Sequence, residues 1–132
     1  MLPSFRHLFC LQKQMKQKTA VRIREHSWLA RLAAKKLGYD RVAIVWGRTI
    51  HLHQTSARSF LSNRRWLLHE LKHVAQYDHY GFAGFLCRYL WDNIRRGYHQ
   101  NRFEVAARAA EKDETLLEQY RIVWPAERNI KG

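Results

Sequence analysis

Acid is in short supply in this chain. Asp and Glu number 11 against 24 Lys and Arg, giving a net charge of +13 and a pI near 10.4. Such an excess attracts polyanions: nucleic acid, anionic membranes or acidic proteins. The basic residues are scattered, at Lys13, Lys16 and Lys18, at Lys35 and Lys36, at Arg64 and Arg65, and at Arg95 and Arg96. No specific nucleic-acid motif accompanies them. The charge therefore admits an anionic partner or a membrane surface, through the basic N-terminal arm, without defining a site. Cysteine is scarce too. Cys10 and Cys87 have the spacing of neither a zinc ribbon nor a redox pair. Cys87 lies in an apolar helical pattern and is expected to be a buried thiol, and a bridge to Cys10 stays open. No apolar run is long enough for a transmembrane helix. Leu8, Phe9 and Leu11 are cut short by Gln12 and Lys13, with no small-residue cleavage site after them, so a signal peptide is not expected. The expected location is cytoplasmic, with export that needs no cleavable signal left open.

What is present is the material of one folded domain. The 132 residues are 46% apolar and include five Trp, six Tyr and six Phe, which suits a single modest core rather than a disordered chain. Residues 1–19 read as a basic arm, 20–121 as the domain and 122–132 as a tail. A helical period runs from about Arg24 to Leu37, with Trp28, Leu29, Leu32, Ala33 and Leu37 as its apolar stripe and Gly38 as its stop. Val42–Trp46 and Thr49–His53, broken at Gly47, predict a β-hairpin. His51 and His53 would share one strand face, with Ile50 and Leu52 on the other. Helices follow at about Ser62–Tyr77 (capped by Ser62 or Asn63), at Phe82 to about Arg96, and from Asn101 to about Tyr120. The second of these has Phe82, Phe85, Leu86, Tyr89, Leu90 and Ile94 at core spacing. The order helix, hairpin, helix, helix, helix predicts a small α+β domain.

The helix over Ser62–Tyr77 contains His69-Glu70-Leu71-Lys72-His73, an HExxH motif. Residues four apart lie on one face of a helix, so both imidazoles can reach one metal ion while Glu70 holds a water beside it. So short a motif also arises by chance in a chain with eight His, as two exposed histidines on a surface helix. The surroundings favour a site. Leu67, Leu71, Val74 and Ala75 form the apolar stripe, and His69, Glu70, His73 and Gln76 fall beside it.

A catalytic zinc takes three protein ligands and leaves a position for water. The His-x-x-Gly-x-x-His continuation is incomplete, because Gln76 stands where its glycine should be. Glu104 is the preferred third ligand. One complete helix and its turns separate it from His73, enough to return a helix antiparallel to the first. Ala106, Ala107, Ala109 and Ala110 would let the two helices approach closely. Glu111 and Glu114 are rivals on the same helix.

Leu68-His69-Glu70-Leu71-Lys72-His73-Val74-Ala75-Gln76 and Asn101-Arg102-Phe103-Glu104-Val105-Ala106-Ala107-Arg108 resemble two segments of a metallopeptidase-like family. That family is known as the core domain associated with extracellular contractile injection systems. The resemblance spans about Arg24 to Glu111. It implies a zincin-like fold of minimal gluzincin type, with one zinc ion on His69, His73 and Glu104, Glu70 as catalytic base, and Gln76 in support. Where larger gluzincins place an Asp four residues after the ligand Glu, this chain has Arg108, so the task of orienting a ligand His must fall elsewhere. Tyr77, Tyr80, Tyr98, His99 and Arg108 are candidate oxyanion donors, with Tyr98 and His99 best placed. A peptide or protein substrate could add to the hairpin's edge strand near His51 and His53. The expected function is zinc-dependent peptide hydrolysis. The alternatives are a non-catalytic zinc-stabilised domain and a basic module that binds polyanions or membranes.

Overall fold

The computed structural model describes residues 17–124. Strand β1 (Thr19–Arg24) leads to helix α1 (Trp28–Leu37), the hairpin strands β2 (Val42–Trp46) and β3 (Thr49–His53), and helices α2 (Ala57–Ser62), α3 (Arg64–Tyr80), α4 (Phe82–Arg96) and α5 (Arg102–Ala109). A 3-10 turn (Ala110–Lys112), helix α6 (Leu116–Gln119) and strand β4 (Tyr120–Val123) complete it. This is a small α+β domain with a mixed four-stranded sheet in the order β2-β3-β1-β4. β1 runs parallel to both β3 and β4, and β2 pairs antiparallel to β3. No helix among the described residues is long and apolar enough to cross a membrane.

The hairpin forms as its alternation predicts, turning at Gly47 with φ 65°. Ile50 and Leu52 point to one face, where they join Val21, Ile23, Leu68, Leu71 and Val74 in the core. His51 points to the other, where its Nδ1 lies 2.7 Å from the Oγ of Ser27, the N-cap of α1. α1 therefore covers the sheet face opposite α3.

α3 begins where Asn63 accepts from the Trp66 amide, 3.2 Å away, and stops at Gly81, whose φ is 77°. Leu67, Leu68, Leu71 and Val74 are buried along one side. Burial of each contributes about 1.5–3 kcal/mol. That anchorage can hold a neighbouring row of polar side chains away from water despite the cost of desolvating them.

Four expectations are overturned. Thr19–Arg24 is a central strand rather than part of an arm and a helix start, because Val21 and Ile23 alternate with Arg22 and Arg24 and bury between β3 and β4. The last helix breaks at Ala110, and the chain from Tyr120 turns into β4, so the sheet takes in Thr19, Ile122 and Val123 from the expected arm and tail. The apolar stripes of α1 and α4 face inward only in part. Trp28 and Leu32 are exposed while Ala30 and Ala34 are buried, and Leu90, Trp91 and Ile94 are exposed while Phe85 and Asp92 are buried. Cys87, on that outer side of α4, is exposed rather than buried, and Cys10 lies outside the described residues.

Candidate metal centre

His69 and His73 stand one turn apart on α3, and Glu104 comes from the first turn of α5. The two oxygens of Glu104 divide between the two rings. Oε1 lies 3.0 Å from His69 Nε2 and Oε2 lies 3.2 Å from His73 Nε2. The candidate ligand atoms of the three residues all lie within 4.8 Å of one another, so one cation could touch all three.

The far nitrogens are held as well. His69 Nδ1 lies 3.2 Å from Glu111 Oε2, and His73 Nδ1 lies 2.9 Å from Gln76 Oε1. Gln76 Nε2 donates to the Phe103 carbonyl at 3.1 Å. A carbonyl can only accept, so the Gln76 amide must turn its NH2 to Phe103 and its oxygen to His73. His73 Nδ1 is then the donor, which leaves the Nε2 lone pair for a metal. Glu111 does the corresponding work for His69. The position filled by Arg108 lacks an orienting acid, and Glu111 supplies one from the following turn.

Glu104 is itself braced. The Tyr89 hydroxyl donates to Oε2 at 2.6 Å. Asn101, fully buried, caps α5 by accepting from the Phe103 amide at 2.9 Å and donates to the Tyr89 carbonyl at 3.1 Å. Asp92 accepts from the Arg102 amide at 2.7 Å, and that bond and the Arg102 guanidinium hold its carboxyl below the usual range. Asn101→Ala should therefore cost about 2–4 kcal/mol, a helix cap plus a buried hydrogen bond. Asn101→Asp keeps the cap but sets an acceptor against the Tyr89 carbonyl, so it should not restore the loss. Urea unfolding of the metal-free variants measures this, and a loss below about 0.5 kcal/mol for the Ala variant would contradict the bracing role.

Glu70 is buried beside the cluster. Burial raises its carboxyl to about 7, against the opposing pull of His73 and His69. Burial lowers the His69 imidazole, but hydrogen bonds to Glu104 and Glu111 and the charge of Glu70 overcome it, for a net rise to about 9. His73 also ends above its ordinary value, since Glu104 outweighs burial. Glu104 is opposed by burial yet held well below the usual range by His69, His73 and Tyr89.

These shifts set a pH dependence for the metal-free protein. The folded state keeps a proton on Glu70 from 4.5 up to about 7, and on His69 from 6.5 up to about 9, where the unfolded chain has lost it. More protons bound in the folded state means stability falls as pH rises across that window. The depressed Glu104 acts only below 4.5 and leaves the sign unchanged. Metal binding requires neutral imidazoles, so the metal-induced rise in Tm should grow over the same window. Melts with and without metal from about pH 6 to about pH 9 test this, and an increment that shrinks with pH would contradict it.

Two adjoining cavities open at the cluster, of about 230 and 470 Å³, and His69, Glu70 and Tyr98 line both. The smaller runs along β2 to Trp46 and down to His73, Tyr89 and Glu104. Burial and the charges of Glu104 and Glu70 raise the Tyr98 phenol, so it remains a hydrogen-bond donor.

The structure thus gathers His69, Glu70, His73, Gln76, Tyr98 and Glu104. Other candidates lie apart or are engaged elsewhere. The His99 side chain is exposed and lines neither cavity, and its carbonyl accepts from Arg108, which ties down the turn carrying Tyr98. His51 is bonded to Ser27, and His53 lines a separate hollow beside Gly38 and Gln54. Both sit on the inner strand β3, whereas the edge strand that borders the site is β2. Glu114 pairs with Arg64 at the surface, at 3.0 Å. Tyr77 lines the smaller cavity, but its hydroxyl donates to the Val45 carbonyl at 3.2 Å and so fastens α3 to the edge strand, while Tyr80 lies under the Arg88 guanidinium. The sequence reading missed Tyr89 and Asp92, and ranked Glu111 only as a rival ligand. Tyr89 stood in the α4 stripe as a core aromatic, and Asp92 is the one acid of α4, which was the available signal. Comparison with known protein families, characterised proteins and solved structures finds no match, so the family resemblance rests on the two sequence segments alone.

Proposed function

We propose that this domain is a zinc-dependent hydrolase of peptide bonds, with His69, His73 and Glu104 as the metal ligands and Glu70 as the general base. One observation carries the proposal: two imidazole nitrogens and a carboxylate converge within 4.8 Å, beside a buried Glu70 that lines an open cavity. Two nitrogens and one oxygen suit zinc, and three protein ligands leave a position for water or substrate. When bound, zinc would polarise a carbonyl and bring the pKa of a water toward neutrality.

The chain's own residues have defined tasks in this reading. Gln76 and Glu111 fix the two imidazoles, each through Nδ1. Tyr89 and Asn101 hold the Glu104 side of the site. Glu70 takes a proton from the attacking water and returns it to the leaving amine. Tyr98, protonated and lining the same cavities, is the candidate donor to the developing oxyanion. Among the described residues β2 is an edge strand along the cavity wall, where an extended peptide can add as a further strand. The function also agrees with the family that the two segments resemble. Its test is a screen of quenched peptides in which turnover is lost to a chelator, restored by zinc and absent from a Glu70 variant.

A further inference from the structure

α4 carries apolar side chains on both its inner and its outer side. Phe85 and Asp92 are buried on its inner side, while Leu90, Trp91 and Ile94 are 52%, 60% and 79% exposed. Across the groove, Leu37 and Trp46 are exposed as well, and both line the same cavity as Leu86 and Leu90. Leu90 stands beside Trp91 and one helical turn from Ile94, so the exposed apolar side chains of α4 border the cavity that reaches His69 and Glu70. Exposed patches of this kind mark interaction sites.

Charge selects the occupant. α1 and α4 together carry Arg31, Lys35, Lys36, Arg88, Arg95 and Arg96, and their one acid, Asp92, is buried against Arg96 and Arg102. A second copy would bring the same cations. Residues 1–16 contain Arg6, Lys13 and Lys16 and no acid, so they bring the same sign. A helix with exposed Trp, Leu and Ile and a basic margin is matched by an anionic bilayer, whose headgroups meet the cations while the apolar side chains enter the acyl boundary. We propose that α4 and the C-terminal end of α1 dock the protein in the plane of an anionic lipid surface, with the cavity mouth turned toward the lipid. The docking holds whether or not the site is catalytic.

Flotation of the full-length protein with phosphatidylcholine vesicles, with and without about 30% phosphatidylglycerol, tests this. The protein should float with the anionic vesicles, far less with neutral ones, and lose binding at high salt. Trp91→Asp with Ile94→Asp should weaken partition at least about tenfold. Arg88→Glu with Arg95→Glu should weaken it too, and Lys13→Gln with Lys16→Gln should leave it as in the wild type. Far-UV circular dichroism checks that each variant is folded. Failure of the wild type to float, wild-type flotation of both α4 variants, or loss confined to the arm variant would overturn the proposal. A dimer of the wild type abolished by the α4 variants, without flotation, would assign the face to a second copy instead.

Discussion

Glu70→Gln is expected to bind zinc with an affinity within about threefold of the wild type and to lose peptide turnover by about 10²- to 10⁴-fold, the usual span for removing a general base. The substitution is nearly isosteric, and Glu70 is not one of the three converging ligands. Its carboxylate is buried, which is unfavourable unless the charge is used. In a domain where zinc only staples the core, nothing requires that carboxylate. The Gln variant would then be at least as stable, with nothing to lose. Zinc affinity by competition with a chromophoric chelator and turnover of a peptide found in the screen separate the two cases. Turnover within a factor of about two of the wild type would remove Glu70 from the chemistry. A large loss of zinc from the variant would instead place it among the ligands.

Glu104→Ala should have the largest effect on metal. It removes the only carboxylate ligand and leaves two imidazoles, so affinity should fall by more than about 100-fold, beyond the 10- to 100-fold typical of an orienting partner. Glu111→Gln and Gln76→Ala should fall within that smaller range, since each acts through the Nδ1 of one histidine. Glu114→Gln should change nothing, because its carboxylate pairs with Arg64 at the surface. The ranking is the content of the prediction. Glu111→Gln matching or exceeding Glu104→Ala would mean that the rival acid is the ligand and Glu104 its support.

The parts that were legible in the sequence are those set by local rules. Asn63 and Asn101 announce the starts of α3 and α5, Gly47 announces the hairpin turn, and spacing of four puts His69 and His73 on one face. The choice of Glu104 depended on one intervening helix returning the chain, and α4 does so. Strand β1 was hidden because its partners, β3 and β4, lie far along the chain and its Arg22 and Arg24 resemble the basic stretch before it. The orientation of α1 and α4 was not readable from periodicity. An apolar stripe says that a helix has two faces, not which one a neighbour covers. α4 turns Asp92 inward with Phe85 and Tyr89, where the Arg102 amide and two guanidiniums satisfy it, and leaves Leu90, Trp91 and Ile94 facing out. Glu111 reaches His69 through the break at Ala110–Lys112, which a reading of one continuous helix does not contain. The assignment of His51 and His53 to the site failed for a topological reason: β1 and β2 flank β3 on both sides, so among the described residues the hairpin's edge strand is β2.

The most direct test of the central claim is metal content by elemental analysis of the purified wild type beside Glu104→Ala, each loaded with zinc and then freed of excess. The account predicts about one zinc per chain for the wild type and little or none for the variant. Equal zinc in both, or none in the reconstituted wild type, would contradict a site built from His69, His73 and Glu104.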